Sequence, residues 1–205
     1  MYGIGQVRAG LASLVMLYMF LLSDKLLWLK VLAGTLFFHS SSLVYAAAIA
    51  RQAVTNNFIK CLIGSGLIGY FLYAVNASTY LELMSSVPGL SRLSNYVNYH
   101  RYLEPVGTVG YDSLFYFITI MIYRRYLDDT MVVEQKLLFI LMLALLMSVA
   151  FFSVSIISER LGSFLAVSSI FICARLAERS LLAFGYVFCA YIVAAIFNWI
   201  RTIGS

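Results

Sequence analysis

The chain of 205 residues is 62% hydrophobic and only 11% charged, and its formal net charge is +5. A soluble domain has about 45–50% apolar and about 25% charged residues, so this composition excludes a water-soluble globular fold and predicts a polytopic membrane protein. The 14 lysines and arginines stand singly or in pairs. They indicate membrane orientation, and the sequence predicts no nucleic-acid partner.

Several segments approach the length of about 20 mostly apolar residues that a spanning helix needs. The first runs from Gly10 to Leu22 and extends back through residues 3–8. No convincing cleavage site follows it, so we expect a retained helix rather than a signal peptide. Further spans are predicted at Phe58–Val75, Asp112–Tyr126, Leu137–Ile157 and Leu181–Ile200, with a short helix at Leu161–Ala174.

The apolar run Leu26–Ala50 allows two interpretations, one long tilted helix or two half-helices that meet near His39. A single crossing divides the basic residues of the chain about evenly between the two sides of the membrane. A break at His39 collects most of them on one side, as the positive-inside rule favours. The broken arrangement places Arg8, His39 and the Glu159–Arg160 pair on the outer face.

His39 and the three serines that follow it are polar groups inside this apolar run. Facing lipid would leave them without hydrogen-bond partners, so this face must look into the protein or onto water. It is predicted to form one wall of a polar site. The alternative is that His39 and the serines only bind neighbouring helices.

Residues 76–111 form the one long hydrophilic stretch, and its tyrosines favour burial or stacking on a sugar over disorder. We therefore predict an all-α transmembrane bundle of about six to eight membrane segments, a single domain over residues 1–205 with one polar extracytoplasmic loop. Gly64, Gly66 and Gly69 are expected to pack closely against other helices. The three cysteines lack redox or zinc spacing, and no metal or cofactor is predicted.

Several of these residues resemble landmarks of the EpsG-like exopolysaccharide polymerases. The segment Gln6–Ala12 is similar to that family's arginine-bearing helix start, and Leu32–Leu43 looks like its histidine signature. The tyrosine-containing segment Tyr96–Tyr102 and the sequence Ser158–Leu161 match later landmarks in order and approximate spacing. The resemblance covers most of the chain, and the His39 motif is its most specific part.

The resemblance to EpsG-like and Wzy-type O-antigen polymerases implies an enzyme of the bacterial inner membrane. It would join undecaprenyl-pyrophosphate-linked oligosaccharide repeats at the outer face of that membrane, in O-antigen, capsule or exopolysaccharide synthesis. Lipids, a flippase and chain-length regulators are the implied partners. The chain is shorter than a typical member, and we expect it to be a C-terminal portion of a longer polymerase; the sequence leaves open whether this portion is active alone.

The implied reaction needs positive charge for a pyrophosphate and a base for the acceptor hydroxyl. Arginine forks suit phosphate oxygens, and interfacial snorkelling is the alternative for each arginine. For Glu159 the alternative is a local pair with Arg160. The predicted site comprises His39 and Glu159 as candidate bases, with Arg8, Arg101, Arg160, Tyr99 and His100 as substrate-binding residues.

A transporter or flippase fragment is the main alternative from another class, because such proteins also use broken helices and buried polar groups. A polymerase should gather its polar residues at one face, whereas a carrier should line a path through the core. A non-catalytic membrane subunit is the third possibility, which the short length leaves open.

Overall fold

The described part of the protein is all-helical, as predicted. The computed structural model describes residues 2–22, 25–33, 45–47, 49–74, 111–127, 131–153 and 155–204, and no strand occurs in these ranges. Their eight α-helices, in chain order, are α1 (Tyr2–Leu22), α2 (Leu27–Ala33), α3 (Arg51–Asn56), α4 (Phe58–Ala74), α5 (Tyr111–Tyr126), α6 (Val132–Ala150), α7 (Ser155–Arg179) and α8 (Leu181–Gly204).

Helix α6 lies at the centre of the bundle. It packs against α1, α3, α4, α5 and α7. Every residue from Lys136 to Leu146 is buried, as expected for a helix that is apolar on all sides. Among the described helices, α6 alone has the length and composition of a membrane span, and the apolar segments Leu11–Leu22, Phe58–Ala74 and Leu181–Phe197 are shorter.

Helices α1, α4, α5 and α8 lie close to their predicted positions, because polar breaks mark their ends in the sequence. The boundary between α6 and α7 was predicted wrongly. Helix α6 ends at Ala150, and α7 continues as one helix from Ser155 to Arg179. No glycine or proline marks the turn at residues 151–153. The polar residues 158–160 lie in the first two turns of α7, where an acidic side chain suits the positive helix end.

Helix α4 runs parallel to α6. The rings of Tyr73 and Phe152 stack with their centroids 6.2 Å apart, so the end of α4 lies beside the end of α6. A Cβ atom on Gly69 would lie only 2.5 Å from the Val149 carbonyl oxygen. On Gly64 or Gly66 it would have no described atom within 4 Å. The predicted close packing is therefore confirmed at Gly69, and none is found at the other two glycines among the described residues.

The described residues before and after the gap between α2 and α3 contact the same end of the bundle. Lys30 Nζ donates a hydrogen bond to the Met19 carbonyl at 3.1 Å, near the end of α1. Tyr45 packs on Phe20 in the same turn, with ring centroids 5.9 Å apart. Residues 30 and 45 thus meet the same part of α1, which agrees with a divided Leu26–Ala50 run and disagrees with a single crossing. Residues 34–44, with His39, lie outside the described residues.

Candidate functional site

Seven residues were predicted to form the site, and the structure describes them only in part. Four of them, His39, Tyr99, His100 and Arg101, lie outside the described residues, as does most of the predicted polar loop. Only the main chain is described for the other three, which are Arg8 in α1 and Glu159 and Arg160 in α7. Their relative placement therefore follows from the course of these two helices.

Helices α1 and α7 both end at one end of the bundle, where the first turns of α6 contact them. Lys136 binds a carbonyl of α1 at Phe20, and Glu134 binds Arg179 at the end of α7. At about 1.5 Å per residue, Arg8 lies about 18 Å along α1 from Phe20, and Arg160 lies about 29 Å along α7 from Arg179. The main chains at Arg8 and at Glu159–Arg160 therefore both lie toward the other end of the bundle, away from the contacts with the first turns of α6.

We call these two regions the charged end (Lys30, Tyr123–Tyr126, Glu134, Lys136 and Arg175–Arg179) and the opposite end (Arg8, Tyr73, Phe152 and Ser158–Arg160). At the opposite end, Ser158 Oγ donates a hydrogen bond to the Ser148 carbonyl at 3.2 Å. This contact joins the start of α7 to one of the last carbonyls of α6, which lack partners within their own helix. It fixes the main chain directly before Glu159–Arg160.

The residue types whose main chains lie toward the opposite end are those that bind anions in proteins. The start of α7 presents main-chain N–H groups and the positive end of its helix dipole. The main chains of Arg8, Glu159 and Arg160 lie toward this end. Guanidinium groups bind phosphate oxygens through paired hydrogen bonds, and a carboxylate can accept a proton. These residue types suit phosphate binding and proton transfer.

The charged end contains a buried ion pair that joins three helices. Arg179 Nη2 lies 2.6 Å from Glu134 Oε1, and the Glu134 side chain is only 3% exposed. Arg179 also donates a hydrogen bond to the Tyr126 carbonyl. The end of α7 is thereby tied to the start of α6 and to the end of α5. The Tyr123 hydroxyl is buried beside them and has no hydrogen-bond partner among the described atoms.

A second contact at the charged end holds the end of α1. Lys136 is 3% exposed, and its Nζ donates to the Phe20 carbonyl at 2.8 Å and lies 5.1 Å from the centre of the Phe20 ring. With Lys30 on the Met19 carbonyl, two ammonium groups bind carbonyls of the last turn of α1. These carbonyls carry the negative end of the helix dipole, which compensates the buried positive charge.

Sequence reasoning missed this cluster, because it began the predicted span at Leu137 and left Glu134 and Lys136 outside it. The available signal was their position, since both directly precede the long apolar run that begins at Leu137.

Arg175 differs from Arg179, although both lie near the end of α7. It pairs with Glu178 at 2.8 Å, and both side chains of this pair are exposed.

No group of three or more histidine, cysteine, aspartate or glutamate side chains lies together in the described part of the chain.

Comparison with known proteins supplies the evidence on identity. The family model described as the EpsG family matches residues 1–205. The chain belongs to the EpsG family. No curated protein and no solved structure matches the chain. Membership in the EpsG family agrees with the resemblance of the arginine-bearing helix start and the His39 segment.

Proposed function

We propose that this EpsG-family protein is a membrane polysaccharide polymerase, or a part of one. It joins undecaprenyl-pyrophosphate-linked oligosaccharide repeats at the outer face of the bacterial cytoplasmic membrane. The observation that carries the proposal is the family match over residues 1–205. The course of α1 and α7 supports it, because both helices direct predicted site residues toward one end of the bundle.

The apolar surface supports placement in a membrane. Helix α4 buries only Phe58, Gly69 and Leu72, and it exposes large apolar side chains along the rest of its length. Helix α8 does the same from Leu181 to Ile200. Water would disfavour such extended apolar faces, whereas lipid accommodates them. In this proposal the central α6 crosses the bilayer, and α4 and α8 face the lipid.

The distribution of basic residues supports the orientation. The charged end carries Arg124, Arg125, Arg175 and Arg179 in addition to Lys30 and Lys136. Under the positive-inside rule this end faces the cytoplasm. The opposite end, with Arg8 and Glu159–Arg160, then faces outward, where lipid-linked repeats are polymerised.

The reaction transfers the growing glycan from its lipid pyrophosphate to a hydroxyl of the incoming repeat. The glycosidic bond to pyrophosphate breaks as the acceptor oxygen attacks, and the acceptor proton passes to a base. Arg8, Arg101 and Arg160 stabilise the charge that develops on the leaving pyrophosphate. His39 or Glu159 accepts the proton. Tyr99 and His100 contact the sugars.

Polymer ladders from a strain that depends on this protein test the proposal. Replacing His39 with Ala should abolish the ladders without loss of membrane insertion. Arg160→Lys should fail as Arg160→Ala does, because Lys cannot form the paired phosphate contact. Arg175→Ala is the matched control and should leave ladders intact. Normal ladders from both the His39 and the Arg160 variants would reject this active site.

A further inference from the structure

Two buried ionic contacts of the charged end begin at the first two turns of α6. Glu134 binds Arg179 of α7 with an N–O distance of 2.6 Å, and Lys136, two residues later, binds the Phe20 carbonyl of α1 at 2.8 Å. Both α6 side chains are almost completely buried. One short segment of α6 thus holds the ends of two helices that also pack against each other.

These two helices carry the predicted site residues at the opposite end of the bundle. Helix α1 includes Arg8, and α7 includes Glu159 and Arg160. Each helix is continuous between its contact with α6 and its site residue. An α-helix transmits an axial shift along its length, because its rise per residue is fixed by its hydrogen bonds. Displacement at the charged end therefore displaces the site.

Apolar packing alone specifies the axial position of these helices weakly. The buried side chains of α7 that face its neighbours include Leu165, Ile172 and Leu176, which make non-directional contacts. In the proposed membrane setting, lipid is as apolar as these side chains, so sliding one helix past another changes the hydrophobic energy little. A buried ion pair contributes little net stability, but fixing register is its best-attested use.

We infer that Glu134 and Lys136 are positioning residues for the proposed polymerase. By holding α7 through Arg179 and α1 through its terminal carbonyls, they set the axial position of Arg8 relative to Glu159–Arg160. The inference rests on the proposed function for its catalytic consequence. Its structural half, the relative position of α1 and α7, is measurable without any activity.

The structural half is tested by a spin-label distance. Leu11→Cys on α1 and Ile170→Cys on α7 place labels on exposed positions, in a protein whose three native cysteines are replaced by serine. The double variant Glu134→Gln/Arg179→Gln removes both charges of the ion pair together, so neither charge is left facing an uncharged partner. We expect its distance distribution to broaden relative to the parent, whereas Arg175→Gln/Glu178→Gln should leave the distribution unchanged.

The catalytic half is tested with the reconstituted protein and lipid-linked oligosaccharide isolated from cells that express it. The Glu134→Gln/Arg179→Gln variant should lose about 100-fold in kcat, the effect of an error of about 1 Å in a catalytic group, with little change in KM. Arg175→Gln/Glu178→Gln should retain the parental kcat. If the double variant does not reach the membrane, Glu134→Gln alone replaces it and should show the same effects to a smaller extent.

The possible failures are distinguishable. A parent protein that forms no polymer after reconstitution, and that cells do not need for their polymer ladders, would reject the proposed function. Polymer from the parent, with an unchanged kcat and an unchanged distance in the double variant, would reject the positioning role alone. A broadened distance with an unchanged kcat would also overturn it, because the site would then tolerate the displacement.

Discussion

The two ends of the bundle are held together by different kinds of contact. At the charged end, ammonium and guanidinium groups bind a buried carboxylate and main-chain carbonyls of α1 and α5. At the opposite end, the described contacts are a close glycine approach, a stacked aromatic pair and one serine hydroxyl on a carbonyl. Directional ionic contacts therefore fix the end of the bundle that lies away from the proposed site.

The largest effect on stability is expected at the charged end. Arg179→Ala removes the ion-pair partner of Glu134, whose side chain is 3% exposed. Removal of one partner of a buried pair lowers the free energy of unfolding by about 3–5 kcal/mol. Thermal unfolding in detergent micelles should show a clearly lower midpoint.

The matched control for that comparison is Arg175→Ala, four residues earlier in the same helix. Its ion pair with Glu178 is exposed, so water replaces the lost contact and the midpoint should not change. An equal decrease in the unfolding midpoint of the two variants would show that burial of an ion pair does not determine its contribution to stability.

A smaller effect is expected where α4 meets α6 at the opposite end. On Gly69→Ala, the new methyl group would meet the Val149 carbonyl oxygen at 2.5 Å, and main-chain atoms there cannot move aside easily. Such overpacking lowers the free energy of unfolding by about 1–3 kcal/mol. Gly64→Ala in the same helix meets open space and should raise it, by up to about 1 kcal/mol. Chemical denaturation of both variants measures the difference.

The smallest effect on stability is expected at Ser158. The Ser158→Ala variant loses one hydrogen bond to the Ser148 carbonyl, which contributes about 1 kcal/mol. Because the next two residues are Glu159 and Arg160, its loss of polymer formation should exceed that of the more destabilised Gly69→Ala variant. The ladder assay compares them, and the reverse order would show that this contact does not support the site.

Much of the helical framework could be predicted from the sequence, because polar residues mark the ends of α1, α4, α5 and α8. The boundary between α6 and α7 could not, since Phe151, Phe152 and Ser153 contain no helix-breaking residue. The hydropathy pattern also placed Ser158–Arg160 in a loop between two predicted helices, although polar residues are well accommodated at the start of a helix.

The charged end could not be predicted for a related reason. Charged residues beside an apolar run usually lie in water, and Glu134 and Lys136 are buried only because Arg179 and the carbonyls of α1 meet them in three dimensions. For the candidate site, the sequence supplied the residues, and the course of α1 and α7 places the main chains of Arg8 and Glu159–Arg160 toward one end. The roles of all seven predicted site residues remain predictions.

Cysteine labelling across helix α4 tests most directly the claim that the charged end faces the cytoplasm and the site end faces outward. Single cysteines at Asn56 and Ala74 flank this helix at exposed positions, in a protein without its native cysteines. In intact cells, a membrane-impermeant maleimide should label Ala74→Cys and should reach Asn56→Cys only after permeabilisation. Labelling of Asn56→Cys from outside, with Ala74→Cys protected, would contradict the account.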